Sequence, residues 1–114
     1  MGIGEKGCRK VFESTFGRPF PLSHPDWLLN PESGCPMELD GYNKKLGIAF
    51  EYQGKHHKKT YIRKRDLLKK NLCESRGIQL IAIEGATKGF NSEMLRDYIV
   101  NVLWKCKKRF IVKH

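Results

Sequence analysis

Apolar positions change period several times along this chain, and each change marks an element. Over residues 4 to 16, Cys8, Val11, Phe12, Thr15 and Phe16 recur at helical spacing, which predicts a first helix stopping at Gly17. Pro19, Pro21, Pro25 and Pro31 exclude regular helix from 18 to 36. Phe20, Leu22, Trp27, Leu28 and Leu29 give that stretch apolar anchors, so ordered irregular structure docked on the core is expected. Residues 37 to 42 alternate apolar and polar, residues 46 to 52 are nearly all apolar, and Asn43, Lys44 and Lys45 join them, a hairpin pattern. From Thr60 to Arg76, Ile62, Leu67, Leu68, Leu72 and Cys73 sit among eight charges, which predicts an amphipathic helix with a basic outer face, ended by Gly77. Residues 78 to 83 form a buried-strand pattern. Asn91 or Ser92 can cap a last helix that turns Met94, Leu95, Tyr98, Ile99, Val102 and Leu103 inward.

The predicted order is helix, β-hairpin, helix, strand, helix. A crossover from the hairpin through the second helix makes the last strand parallel to a hairpin strand, so the expected fold is α/β, a mixed sheet flanked by helices. At 114 residues, with no repeat, low-complexity segment or linker, the chain reads as one domain over 1–114.

Composition narrows the partners. With 22 Lys and Arg against 12 Asp and Glu the net charge is +10, which favours a polyanion; nucleic acid is the first candidate and an anionic membrane the second. No run approaches the ~20 apolar residues of a membrane span, and the start lacks the apolar block of a secretion signal, so an intracellular protein of cytoplasm or nucleus is expected. Cys8, Cys35, Cys73 and Cys106 stand singly, without a C-x-x-C pair, and read as reduced thiols; a zinc site from Cys8, Cys35 and His24 has little behind it.

The chemistry-bearing positions lie on the hairpin. Residues two apart on a strand share a face, so Glu38 goes with Asp40 and Glu51 with Gln53. A hairpin that brings Asp40 near Glu51 sets two carboxylates beside an apolar sheet, where their repulsion calls for a cation or a proton. Mg2+ takes such a pair together with waters and substrate phosphate. The ordinary alternative is a solvated sheet face paired to lysines, against which Leu39, Phe50 and Tyr52 argue.

The run Met37-Glu38-Leu39-Asp40-Gly41-Tyr42, then Leu46-Gly47-Ile48-Ala49-Phe50-Glu51-Tyr52-Gln53-Gly54 and His57, resembles the restriction-endonuclease-like PD-(D/E)XK nucleases, in particular the small branch similar to very short patch repair endonucleases. Arg65-Asp66, Lys69, Leu72-Cys73 and Gly77-Ile78 extend the resemblance over roughly residues 4 to 84. It implies a restriction-endonuclease-like core and a DNA nuclease using Mg2+, with Mn2+ substituting, in repair, recombination or mobile-element or viral DNA processing. Asp40 and Glu51 match the metal-site carboxylates, joined by the backbone carbonyl of Tyr52. Gln53 stands where lysine is commonest and, as an amide, would orient water or phosphate rather than take a proton. Lys69 matches the spacing of a helix lysine that could replace it. The family often carries an acidic residue on the first helix, and Glu5, at the edge of the apolar face, fits better than Glu13.

His56 and His57 follow Gln53 closely enough to reach a phosphate; His57 is a candidate for proton transfer and His56 for DNA contact. Lys55, Lys58, Lys59, Arg63, Lys64, Arg65 and Lys70 form a dense positive run beside the acidic pair and are the expected DNA contacts. A homodimer is compatible with the sequence. Two rival readings stand: a nuclease-fold protein that binds nucleic acid without cutting, and an unrelated basic interaction domain whose carboxylates are ordinary sheet residues.

Overall fold

The first helix, α1 (Glu5–Phe16), buries Cys8, Val11, Phe12, Thr15 and Phe16, the five positions its spacing marks. It ends where Gly17 takes a left-handed conformation at φ 65° and donates its N–H to the Glu13 carbonyl. The computed structural model describes residues 4–53, 60–84 and 91–105, with backbone alone at 60–63 and 84.

The hairpin differs from its predicted bounds. Strand β1 covers Gly41–Asn43 and β2 Ile48–Gln53, antiparallel, with Gly41 opposite Phe50 and Asn43 opposite Ile48. The alternation from 37 to 40 is genuine, since Met37 and Leu39 are buried and Glu38 exposed, but its hydrogen bonds go to the preceding irregular segment. Leu39 exchanges backbone bonds with Ser23, and Met37 N–H donates to the Leu28 carbonyl. Alternation reports burial, and here a loop rather than β2 supplies the partner. Asn43, expected in the connection, belongs to β1. Its side chain accepts from Leu46 N–H and donates to the Pro19 carbonyl, so it shapes the turn from inside the strand.

Helix α2 (Thr60–Ser75) stops as Gly77 predicts: Ile78 N–H reaches the Cys73 carbonyl and Gly77 N–H the Glu74 carbonyl, a Schellman ending with Gly77 at φ 73°. Strand β3 (Gln79–Glu84) then pairs parallel with β2, Glu51 opposite Ala82, giving the sheet order β1-β2-β3. Asn91 caps α3 (Ser92–Lys105) by accepting from Met94 N–H. Only one row of α3, Leu95, Ile99 and Leu103, is buried; Met94 and Tyr98, expected inward, are exposed, and Val102 is partly buried. A single i, i+4 row suffices because α3 packs beside α1 rather than between two layers.

Two apolar layers result. One joins α1 and α3 to the face of the sheet bearing Ile48, Phe50, Ile81 and Ile83. The other sets α2 and residues 27–39 against Ala49, Tyr42 and Leu80. Cys8 and Cys73 are buried thiols and Cys35 is exposed. No helix among the described residues is long and apolar enough to cross a membrane.

Candidate active site

Glu51 lies on the α2 face of the sheet, two residues along β2 from buried Ala49. Asp40 sits in the bend just before β1, at the position opposite Glu51 if the ladder continued one rung. The backbone ladder does not continue; the Asp40 side chain does it instead, its Oδ2 accepting the Tyr52 N–H at 2.7 Å. That bond holds the carboxyl beside β2. The other side of the residue is held from α1, where the Arg9 guanidinium donates to the Asp40 carbonyl and, through Nε, to the Phe20 carbonyl at 3.0 Å. The same guanidinium lies 5.9 Å from the Phe50 ring centroid and 3.8 Å from Glu5.

Lys69 reaches across from α2 and donates to Glu51 Oε1, and both side chains are nearly buried, at 11% and 13% exposure. Burial first, and then a side-chain hydrogen bond to Asp40 and its charge, raise the Glu51 carboxyl to about 8 against the opposing Lys69 ammonium. The two carboxyls are therefore neighbours, and one cation answers two potential anions. A cavity of about 240 Å3 opens beside them, lined by Glu51, Gln53, Asp66, Lys69 and Lys70 over an apolar floor of Leu67, Leu80 and Ala82. Leu67, expected on the inner face of α2, is 58% exposed and lines this cavity.

The structure thus gathers Asp40, Glu51, Gln53 and Lys69 in one place. Gln53 Nε2 donates to Asp66 Oδ2 over a long 3.4 Å. Glu5 pairs with Arg9 and is linked to Asp40 through that guanidinium. Lys64 and Arg65 are exposed and border a depression with Asn30, Pro31, Glu32 and Leu68; Lys70 borders the cavity beside Glu51. The Arg63 side chain and residues Lys55, His56, His57, Lys58 and Lys59 lie outside the described residues. Two residues that the sequence reading left without a role belong to the site. Arg9 fixes the Asp40 backbone, a long-range bond no local pattern announces. Asp66 could have been found, since it lies three residues before Lys69 and so shares its helix face.

The groups that could hold a metal ion are Asp40, Glu51 and the Tyr52 carbonyl. Among the described residues no set of three or more His, Cys, Asp or Glu converges, which does not suit a four-ligand zinc site. Two carboxylates and a carbonyl do suit a hard divalent cation that keeps several waters. Burial holds the Cys8 thiol up at about 11, with Glu5 and Asp40 adding to the shift, so it is no ready thiolate ligand.

An α/β domain with paired carboxylates and a buried lysine at one end of its sheet is the class that fold and site define. By sequence the chain belongs to the family described as protein of unknown function (DUF2726), whose model matches residues 22–103. The match takes in Asp40, Glu51 and Lys69 and leaves out α1 with Glu5 and Arg9. The chain is 36% identical over 92 residues to uncharacterized protein 033L of Invertebrate iridescent virus 3, covering 70% of this chain and 47% of that protein. It is 33% identical over 98 residues to uncharacterized protein 094L of Frog virus 3 (isolate Goorha), covering 75% and 63%. Uncharacterized protein 307L of Invertebrate iridescent virus 6 is 30% identical over 112 residues, 75% of this chain and 57% of that protein. The chain therefore spans less than two thirds of the length of each. No solved structure matches.

Proposed function

We propose that this chain is a metal-dependent DNA nuclease with a restriction-endonuclease-like core, acting as an endonuclease in repair, recombination or viral DNA processing. The observation that carries the reading is the meeting of Asp40, in the bend before β1, and Glu51 on β2, with the Lys69 ammonium on Glu51. A carboxyl raised by burial, in contact with a second carboxyl and a lysine beside a cavity, is a candidate functional site. Asp40, Glu51 and the Tyr52 carbonyl would hold Mg2+ or Mn2+, whose chemistry here is to acidify water and neutralise charge on a phosphodiester.

The chain's own groups do the rest. Tyr52 N–H fixes the direction of the Asp40 carboxylate, and Arg9 fixes its backbone. Lys69 supplies positive charge where phosphate charge builds during in-line attack on phosphorus. With its nitrogen assigned to Asp66, Gln53 presents its carbonyl oxygen as an acceptor that can orient water. The basic face of α2, with Lys64, Arg65 and Lys70, offers phosphate contacts.

The test is incubation with linear duplex, nicked, branched and single-stranded DNA, with Mg2+, Mn2+ or EDTA. Cleavage is expected only with metal. Asp40→Ala and Glu51→Ala should each lower it by on the order of a hundredfold or more, the scale of one lost transition-state contact, while DNA affinity in EDTA stays unchanged. Wild-type turnover in either variant would overturn the assignment. One observation favours the rival of a nuclease-fold binder without catalysis: Gln53 stands where the resembled family most often has lysine. That reading predicts no cleavage of any substrate in either metal.

A further inference from the structure

The far end of the hairpin carries a second group of chemistry-bearing side chains, none of them used by the carboxylate site. Tyr42 on β1 pairs with Ala49 and so lies on the same sheet face as Glu51, two strand residues from Asp40, or roughly 7 Å along the strand. Trp27, from the irregular segment, meets Tyr42 edge-on at 6.2 Å and 77°. Arg76, at the end of α2, holds its guanidinium 5.1 Å from the centre of the Trp27 ring. Lys44 and Lys45 project from the hairpin turn beside them, both exposed. Together these residues line a cleft of about 770 Å3, in which Asp26 is the only acidic residue among the described lining.

Packing alone does not account for this arrangement. Trp27 packs against the second apolar layer, as the sequence leads one to expect of an anchor, and its half-buried indole also borders the cleft. Three cations border the cleft with one carboxylate, and among the described residues none of the three forms an ion pair. Such a lining favours an anion of more than one charge. A ligand matching the whole cleft has a planar aromatic face for the Trp27 and Arg76 pair and phosphates for the lysines. Duplex bases are stacked on one another and offer no such face, whereas an unpaired nucleotide offers both.

We propose that this cleft binds single-stranded nucleic acid, with one unstacked base against the Trp27 and Arg76 pair and the adjoining phosphates on Lys44 and Lys45. The site is separate from Asp40 and Glu51 and would operate whether or not they support cleavage. If they do, its position on the same sheet face directs the nuclease to strands with unpaired nucleotides beside the cut.

The experiment titrates the full chain carrying Trp104→Phe, which leaves Trp27 as the reporting indole, with oligothymidylate of about ten nucleotides. EDTA is present, so the fluorescence reading is independent of cleavage. Saturable quenching of Trp27 is expected, while an abasic oligonucleotide of equal length and charge binds without it. Trp27→Leu, made in the otherwise unaltered chain and followed by anisotropy of labelled strands, should weaken oligothymidylate roughly tenfold or more and leave the abasic strand unaffected. The exposed double variant Lys44→Ala/Lys45→Ala, which does not disturb the core, should weaken both strands and flatten the salt dependence by about 0.7 log unit per contact. The proposal is overturned if the abasic strand quenches equally or if the lysine double variant binds as the parent does. It is likewise overturned if duplex DNA, polyglutamate or phosphatidylserine vesicles quench Trp27 at lower concentration than oligothymidylate.

Discussion

At position 41 an added Cβ would lie 1.9 Å from Phe50 Cε2, the ring that faces it across the hairpin and stacks on Phe12 at 4.6 Å. Gly41 is a strand residue rather than a turn residue, and what it supplies is room for Phe50 one step from Asp40. Gly41→Ala should therefore destabilise the fold by about 1–3 kcal/mol, the usual cost of overpacking a core, seen as a lower denaturant midpoint. Combining it with Phe50→Leu should recover part of that loss. If Gly41→Ala alone is as stable as the parent, the ring is not held as described. The sequence offers a glycine after Asp40 but not its reason, because the register that sets it against Phe50 depends on where the hairpin turns.

Between elements, the contact with most at stake is Lys69 on α2 against Glu51 on β2. Burial raises Glu51 from 4.5 to about 8, so its proton favours the folded state: that contribution is full below pH 4.5 and is lost as pH rises through 8. Removing the ammonium leaves a neutral acid at low pH and a buried lone anion at high pH. In EDTA, Lys69→Met should thus cost little near pH 5 and more near pH 9, by up to about 1.4 kcal/mol for the one pH unit above 8. Lys69→Met/Glu51→Gln should remove that pH dependence. A loss from Lys69→Met that is the same at both pH values would mean that the pair is not buried as described. The partnership was partly legible in advance, since the spacing of Lys69 matched a helix lysine replacing the absent strand lysine. The elements themselves were legible wherever one face met one layer, as in α1, whose five spaced positions are its five buried ones. Reading failed where the burial pattern did not say which partner does the burying. Met37 and Leu39 alternate like a strand yet bond to the loop, and Met94 and Tyr98 follow a helical period yet face outward. Arg9 was illegible for the same reason, since its bond to the Asp40 carbonyl joins residues 31 apart.

For the whole molecule the question is whether the net charge of +10 acts as a diffuse field or through one face. A diffuse field depends on the total, whereas phosphate contacts depend on where the charges sit and release counterions one by one. Two charge reversals separate these cases. Lys64→Glu/Lys70→Glu alters the exposed side of α2, and Lys6→Glu/Lys10→Glu alters exposed positions on α1, across the sheet; each lowers the net charge from +10 to +6. If DNA lies along α2, the first pair should flatten the slope of log affinity against log salt by about two units on duplex DNA and weaken unrelated sequences alike. The second pair should shift affinity modestly, through the long-range field that salt screens within about 10 Å at 0.1 M, and leave the slope nearly as it was. Equal effects from both pairs would show that total charge, not the α2 face, draws the chain to DNA, and would remove Lys64 and Lys70 from the contact surface while leaving the carboxylate site untouched.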